Sequence, residues 1–296
     1  MVKEKINHRT LGILAFIFLA SVYAGTGVIT RSLDAYFTTA QQLILRILIA
    51  FVFGLFLFKK QIHFKKMKKI TGKEWALIII RTFASFVFGA MLWVKATTLT
   101  KLANVTFIDS LPITAILTFL FSMEKVSFKK IFYIILSVLG VLILSLKDYS
   151  NLLSFGFGEL LVLLSGFFFA FRNISRRWQT KLLNDLEISM LMFFFSFFML
   201  LLVSLFLGEK WVMPSVSPQL IVLLLFGGIT MGLNIVLGNY GFANVPLVLG
   251  NNLLNLEALF GIIFGLMFFG ELVTFKELVG GILIVFSVIK MNEIEK

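Results

Sequence analysis

The feature of this chain that most constrains its fold is a series of long apolar runs that follow one another with little between them. A helix needs ~20 mostly apolar residues to cross the hydrocarbon core of a bilayer. Ten stretches answer to that: residues 11–30, 36–58, 75–96, 102–122, 128–147, 157–174, 187–208, 219–241, 246–269 and 274–290. Hydrophobic residues make up 59% of the 296, and charged residues only 14%. A soluble domain carries about 25% charged residues. No soluble interior of this length holds so many apolar side chains, so lipid must cover much of the surface. The joints are short, and the longest, 59–74, is strongly basic. They leave room for neither a soluble domain nor a P-loop. The run 11–30 exceeds the roughly 7–15 residues of a secretory h-region and reads as a retained first span.

The formal net charge of +12 comes from lysines and arginines that sit between the runs. They read as topology signals, and no nucleic-acid partner is expected. With the N-terminus inside, most of the 27 basic residues fall on inner segments: Lys3, Lys5 and Arg9, the lysines from Lys59 to Lys73, Lys125 to Lys130, Arg172 to Lys181, and Lys290 to Lys296. The bias predicts a multi-pass protein of the inner (cytoplasmic) membrane with both termini cytoplasmic. There is no cysteine, which excludes disulfides and thiolate chemistry.

The chain also resembles itself at an offset near 147. Met123-Glu124-Lys125-Val126-Ser127-Phe128-Lys129-Lys130 matches Gly270-Glu271-Leu272-Val273-Thr274-Phe275-Lys276-Glu277, and at an offset of 146 Gly12, Ala24 and Arg31 match Gly158, Ala170 and Arg177. Each half, 1–149 and 150–296, would hold five spans. An odd number turns the second half upside down. The charges agree: the basic Lys129-Lys130 has Lys276-Glu277 as its counterpart on the other side. The expected fold is an all-α integral membrane protein of ten transmembrane helices, arranged as two inverted five-helix repeats around a central cavity.

The stretch from Leu256-Glu257-Ala258 to Phe269-Gly270-Glu271 resembles the ninth-span signature of the drug/metabolite transporter superfamily, EamA type. Its weaker copy runs from Ser110-Leu111-Pro112 to Met123-Glu124, and Arg46-Ile47-Leu48-Ile49-Ala50 resembles the family's second-span arginine motif. Ala258 stands where the family often has proline, so a kink there is not assumed. The resemblance implies that spans one, three, four, six, eight and nine line the cavity. It places spans five and ten at the periphery, often at a dimer contact, so monomer and homodimer both stay open. It further implies small-molecule substrates such as amino acids, nucleotide-like metabolites or amines.

Ionisable groups inside hydrocarbon cost at least ~2.5–3.5 kcal/mol at mid-helix and need a partner or a purpose. Glu257, mid-span, is the first candidate for a substrate-ammonium contact or a proton-coupling group; the alternative is a structural ion pair. Arg46 reads as a structural charge in an ion pair. Arg81 can meet a carboxylate or phosphate bidentately or snorkel to the cytoplasmic face. Asp109 lies beside Thr106, Ser110, Thr114 and Thr118, whose four-residue steps put them on one face of a continuous helix. That face lines water or packs closely. Asn234, Asn239, Asn251 and Asn255 suit a neutral or zwitterionic substrate, or interhelical contact. Tyr23 and Trp93 can stack on a ring or cation; Trp93 can instead anchor at the interface. Gly261 and Gly265 serve close packing.

His8 and His63 lie among lysines, and no metal, cofactor or catalytic site is expected. The leading expectation is a secondary carrier working by alternating access, with protons or another ion as coupling partner. A gradient-independent facilitator or flippase, and a non-catalytic membrane subunit, are the alternatives.

Overall fold

The computed structural model describes residues 7–121, 123–125, 127–145, 156–180, 182–212, 214–269 and 272–295. Among these the chain is helical, and the helices form ten rods. The first half contributes α1 (His8–Asp34), α2 (Thr39–Phe58), α3 (Gly72–Leu99), the paired short helices α4 (Leu102–Asp109) and α5 (Ile113–Leu120), and α6 (Phe128–Ser145). The second half contributes α7 (Phe157–Ser175), α8 (Asp185–Phe206), α9 (Pro218–Asn244), the pair α10 (Leu247–Leu254) and α11 (Leu256–Phe269), and α12 (Phe275–Ile294). Seven helical stretches are long and apolar enough to cross a membrane. The expected elements Gly270-Glu271, Lys147 and Lys181 lie outside the described residues.

Local chemistry sets the rod ends. Thr38 with Gln41, Asn184 with Glu187, and Thr274 with Glu277 form capping boxes that start α2, α8 and α12. Ser217 caps α9, which carries Pro218 in its first turn. Large apolar side chains such as Phe206, 88% exposed, face outward as a lipid-covered surface requires.

Cross-chain contacts fix the direction of each half. Arg9 Nη2 donates to Asn292 Oδ1 at 2.8 Å, and His8 Nδ1 lies 2.9 Å from the Tyr240 hydroxyl. The start of α1 and the ends of α9 and α12 therefore share one face, the terminal face. At the opposite face Arg31 donates to the carbonyls of Thr97 and Thr100, at 2.8 and 2.6 Å. The Thr100 hydroxyl bonds Glu159 at the start of α7. α7 thus starts where α1 ends and finishes at the terminal face, so the halves are inverted.

The matched residues do matched work. Arg31 grips the C-terminal carbonyls of α3, and Arg177 donates to the Val245 carbonyl just after α9 at 2.5 Å. A Cβ at Gly12 would meet Val245, and one at Gly158 would meet Leu99 and Thr100. The rods α6 and α12, expected at the periphery, pack on each other. A Cβ at Gly140 would lie 2.8 Å from the Gly280 carbonyl, and one at Gly280 2.9 Å from that of Gly140. Only glycine allows this approach.

Two rods depart from regular helix. α3 loosens into a π-helical segment over Phe83–Ala90, a distortion frequent at functional sites. The fourth rod of each repeat is broken: α4 ends at Asp109 and α5 starts at Ile113, while α10 and α11 part at Asn255. The second break falls at Asn255, and Ala258 itself lies inside α11. The first corrects the single four-residue stripe from Thr106 to Thr118, because one face does not carry across a break.

Candidate functional site

Discontinuous helices bring backbone turns and polar side chains to the centre of a membrane protein only where they line a cavity. Here the breaks border a cavity of ≈180 Å³ between the repeats. Its wall includes Tyr23 and Thr26 of α1, Ser85, Ala90 and Trp93 of α3, Thr106 and Asp109 of α4, and Arg172 and Asn173 of α7. Ser110, Thr114, Asn234, Asn251, Asn255 and Glu257 complete its polar lining. Leu43 and Arg46 of α2 and Val141 of α6 also reach it, so the second and fifth rods join a wall assigned to six others.

The two acids sit at the two breaks. Asp109, the last residue of α4, accepts a hydrogen bond from Trp93 Nε1 at 2.7 Å. This places the Trp93 ring on the cavity wall and corrects its reading as an interfacial anchor. Glu257, in the first turn of α11, lies within electrostatic reach of Asp109. It makes no side-chain hydrogen bond or ion pair among the described residues, so the alternative of a structural ion pair finds no partner among them. The Tyr23 hydroxyl hydrogen-bonds Arg172 and lies within electrostatic reach of both carboxylates.

The arginines are held by neutral groups. Arg46, 2% exposed, donates to the Gly227 carbonyl at 3.1 Å and to Thr30 Oγ1 at 3.0 Å. No carboxylate pairs with it among the described residues, which corrects the expected ion pair. Arg172 donates through Nε to Asn173 Oδ1 at 3.2 Å and lies 5.0 Å from the Phe169 ring centre. It too has no ion-pair partner among the described residues.

Arg81 is fully buried, not snorkelled. It bonds Gln179 Oε1, the Arg172 carbonyl at 3.1 Å and Asn239 Oδ1 at 3.0 Å. Asn239 passes the network on to Ser189 Oγ at 3.0 Å. Arg81 and Asn239 therefore lie not on the main cavity but behind it, around a water-sized void toward the terminal face. Arg176, paired with Asp185 at 2.5 Å, borders the same void.

The asparagines divide. Asn255 Nδ2 donates to Ser137 Oγ at 2.9 Å, and its neighbour Asn252 to Ser287 Oγ at 3.0 Å, so both also fasten the broken rod to α6 and α12. Asn234 Oδ1 is buried without a protein partner among the described residues. Ser110 and Thr118 spend their hydroxyls on the Phe107 and Thr114 carbonyls.

Sequence reasoning missed Arg172 and Asn173. Arg172 had counted as a topology charge although it fell inside the run 157–174, and that position was the available signal. Among the described residues no group of His, Cys, Asp and Glu could hold a metal ion. His63 instead lies 3.3 Å from Glu187.

Two matched copies of one unit, inverted around a polar cavity, agree with the comparison of sequences. The model of the EamA-like transporter family matches twice, at residues 10–146 and 156–292. The chain belongs to the EamA-like transporter family. It is thus a membrane transporter of two repeats. No curated protein matches the chain. A solved structure titled only "Crystal structure of protein" is similar in fold, with a TM-score of 0.76 at 13% identity over 97% of this chain and 98% of that one.

Proposed function

We propose that the chain crosses the inner membrane ten times, with both termini cytoplasmic, and is a secondary carrier of a small organic metabolite working by alternating access. The observation that carries this reading is the set of four ionisable side chains on one cavity, none of them paired with another. Asp109 accepts from Trp93 and lies within electrostatic reach of Glu257, and Arg172 and Arg46 line the same cavity. Charges left unpaired in a low-dielectric site are costly unless something else compensates them. A substrate with a cationic and an anionic end, of the amino-acid, nucleotide-like or amine class, compensates them when it binds. The amine would lie against Asp109, Glu257 and the Trp93 ring, and the acid against Arg172.

Size supports a metabolite over a large drug. The cavity of ≈180 Å³ is smaller than the ~300–1,000 Å³ of drug-sized pockets. The cavity lies at the middle of the rods, and the Arg81 network stands behind it toward the terminal face. On this reading the conformation is the one that faces away from the termini. Glu257, without a hydrogen bond among the described residues, is the coupling group if protons drive transport.

Purified protein in liposomes tests this. A thermal-shift screen of amino acids, nucleotides and amines identifies a ligand through its stabilisation of the native state. That ligand should then accumulate against its gradient without ATP when an ion gradient is imposed. Movement that only equilibrates the ligand would point to a facilitator, and movement only with a partner protein to a subunit.

A further inference from the structure

At the terminal face the two repeats are strapped together by contacts that the cavity does not use. Glu124, after α5 in the first repeat, accepts the N–H of Leu247, the first residue of α10 in the second repeat, at 2.5 Å. It also faces the N–H of Val248. Lys130 Nζ on α6 lies 3.6 Å from Glu124 Oε2 and 2.5 Å from Glu295 Oε1, just past α12. Arg177 donates to the Val245 carbonyl from the other side and lies near Glu124. The turn between α9 and α10 is thus gripped twice, by its carbonyl and by its amides, and Val245 and Leu247 are buried.

The gripped turn leads straight into the site. α10 carries Asn251 and runs to the break at Asn255, with Glu257 just beyond. The first amides of a helix have no partner within it, and the Glu124 oxygen supplies their acceptor. At the opposite face Arg31 makes the arginine half of the same grip on Thr97 and Thr100. There Lys101 begins α4, the counterpart of α10, with no side-chain cap.

We propose that Glu124 is the positioning residue that holds the terminal-face gate shut by clamping the start of α10 to the first repeat. This rests on the alternating-access reading. Access from the terminal face requires α10 to swing away from the loop that carries Glu124, so each transport cycle breaks and remakes this contact.

The chain has no cysteine, so Ala90→Cys on the cavity wall gives a single labelling target. An impermeant maleimide is applied to oriented vesicles from either face, and transport is measured on the same vesicles. The parent should label from the opposite face and slowly from the terminal face. Glu124→Ala should raise the terminal-face rate about tenfold, as expected when a buried helix-start amide loses its acceptor. Glu124→Gln keeps an acceptor oxygen for the Leu247 N–H and should stay near the parent rate. Should Glu124→Ala not accumulate, Arg177→Gln releases Val245 without touching Glu124 and should raise the same rate. An unchanged terminal-face rate in the folded Glu124→Ala protein, or in Arg177→Gln in its place, overturns the proposal. If transport continues in that case, only the latch fails. Equal labelling of the parent from both faces removes the closed gate and the carrier reading together.

Discussion

The broken rods α4–α5 and α10–α11 occupy equivalent places in the two repeats, yet they are finished differently. Each presents an acid at its break. Asp109 is tied to Trp93 within its own repeat, whereas Glu257 has no hydrogen bond among the described residues. The second rod is instead fastened through its backbone-side asparagines, Asn252 to Ser287 and Asn255 to Ser137. The first break holds its carboxylate; the second holds its scaffold and leaves the carboxylate to the cavity. Duplication supplied two similar half-sites, and on the proposed carrier reading the second acid is the one left to change its charge during a cycle.

The largest effect should come from the support behind the second rod. Gly280→Val drives a Cβ to 2.9 Å from the Gly140 carbonyl, and overpacking of this kind costs about 3 kcal/mol. Thermal unfolding in detergent should show it. Gly25→Ala on α1 meets nothing within 4 Å and should stay within about 0.5 kcal/mol. If the two cost the same, the α6–α12 contact does not carry the second rod.

Trp93→Phe would make the first acid resemble the second by freeing Asp109. Losing one hydrogen bond to a charged group should change ligand affinity by about tenfold, and an unchanged affinity would mean that Asp109 does not touch the ligand. Asn255→Leu attacks the other fastening and should lower stability by about 1 kcal/mol, while affinity moves less. An affinity loss larger than the stability loss would make Asn255 a ligand contact first.

The smallest effect is one of pH. Burial, and Glu295 beside it, raise the proton affinity of Glu124 above that of an ordinary glutamate. If the opened gate returns Glu124 to water, the closed state binds the proton more tightly than the open one. The resulting bias toward closure is complete below the ordinary glutamate value of ~4.3 and is lost as pH rises through the raised value. Terminal-face labelling should therefore increase with pH over that window in the parent and stay flat in Glu124→Gln.

The rods were legible in the sequence because bilayer thickness imposes a length on each apolar run, and their ends follow capping residues that sequence shows directly. The repeat was legible because Gly12 with Gly158 and Arg31 with Arg177 stayed in step after duplication, and the inversion because five spans per half turn the second half over. The break at Asn255 was not, since no proline or glycine marks it and Ser137 lies far away in the chain. The Arg81 network was hidden for the same reason: Gln179 and Asn239 meet it only through folding. Arg46 looked like half of an ion pair because composition cannot show that a carbonyl and a hydroxyl satisfy a guanidinium.

The direct test is to measure gradient-driven accumulation and substrate exchange side by side in liposomes containing the parent or Glu257→Gln. If Glu257 couples substrate movement to protons, the variant should lose accumulation by more than about tenfold, 1.4 kcal/mol or more of coupling, while exchange continues. Full accumulation by Glu257→Gln would contradict the account.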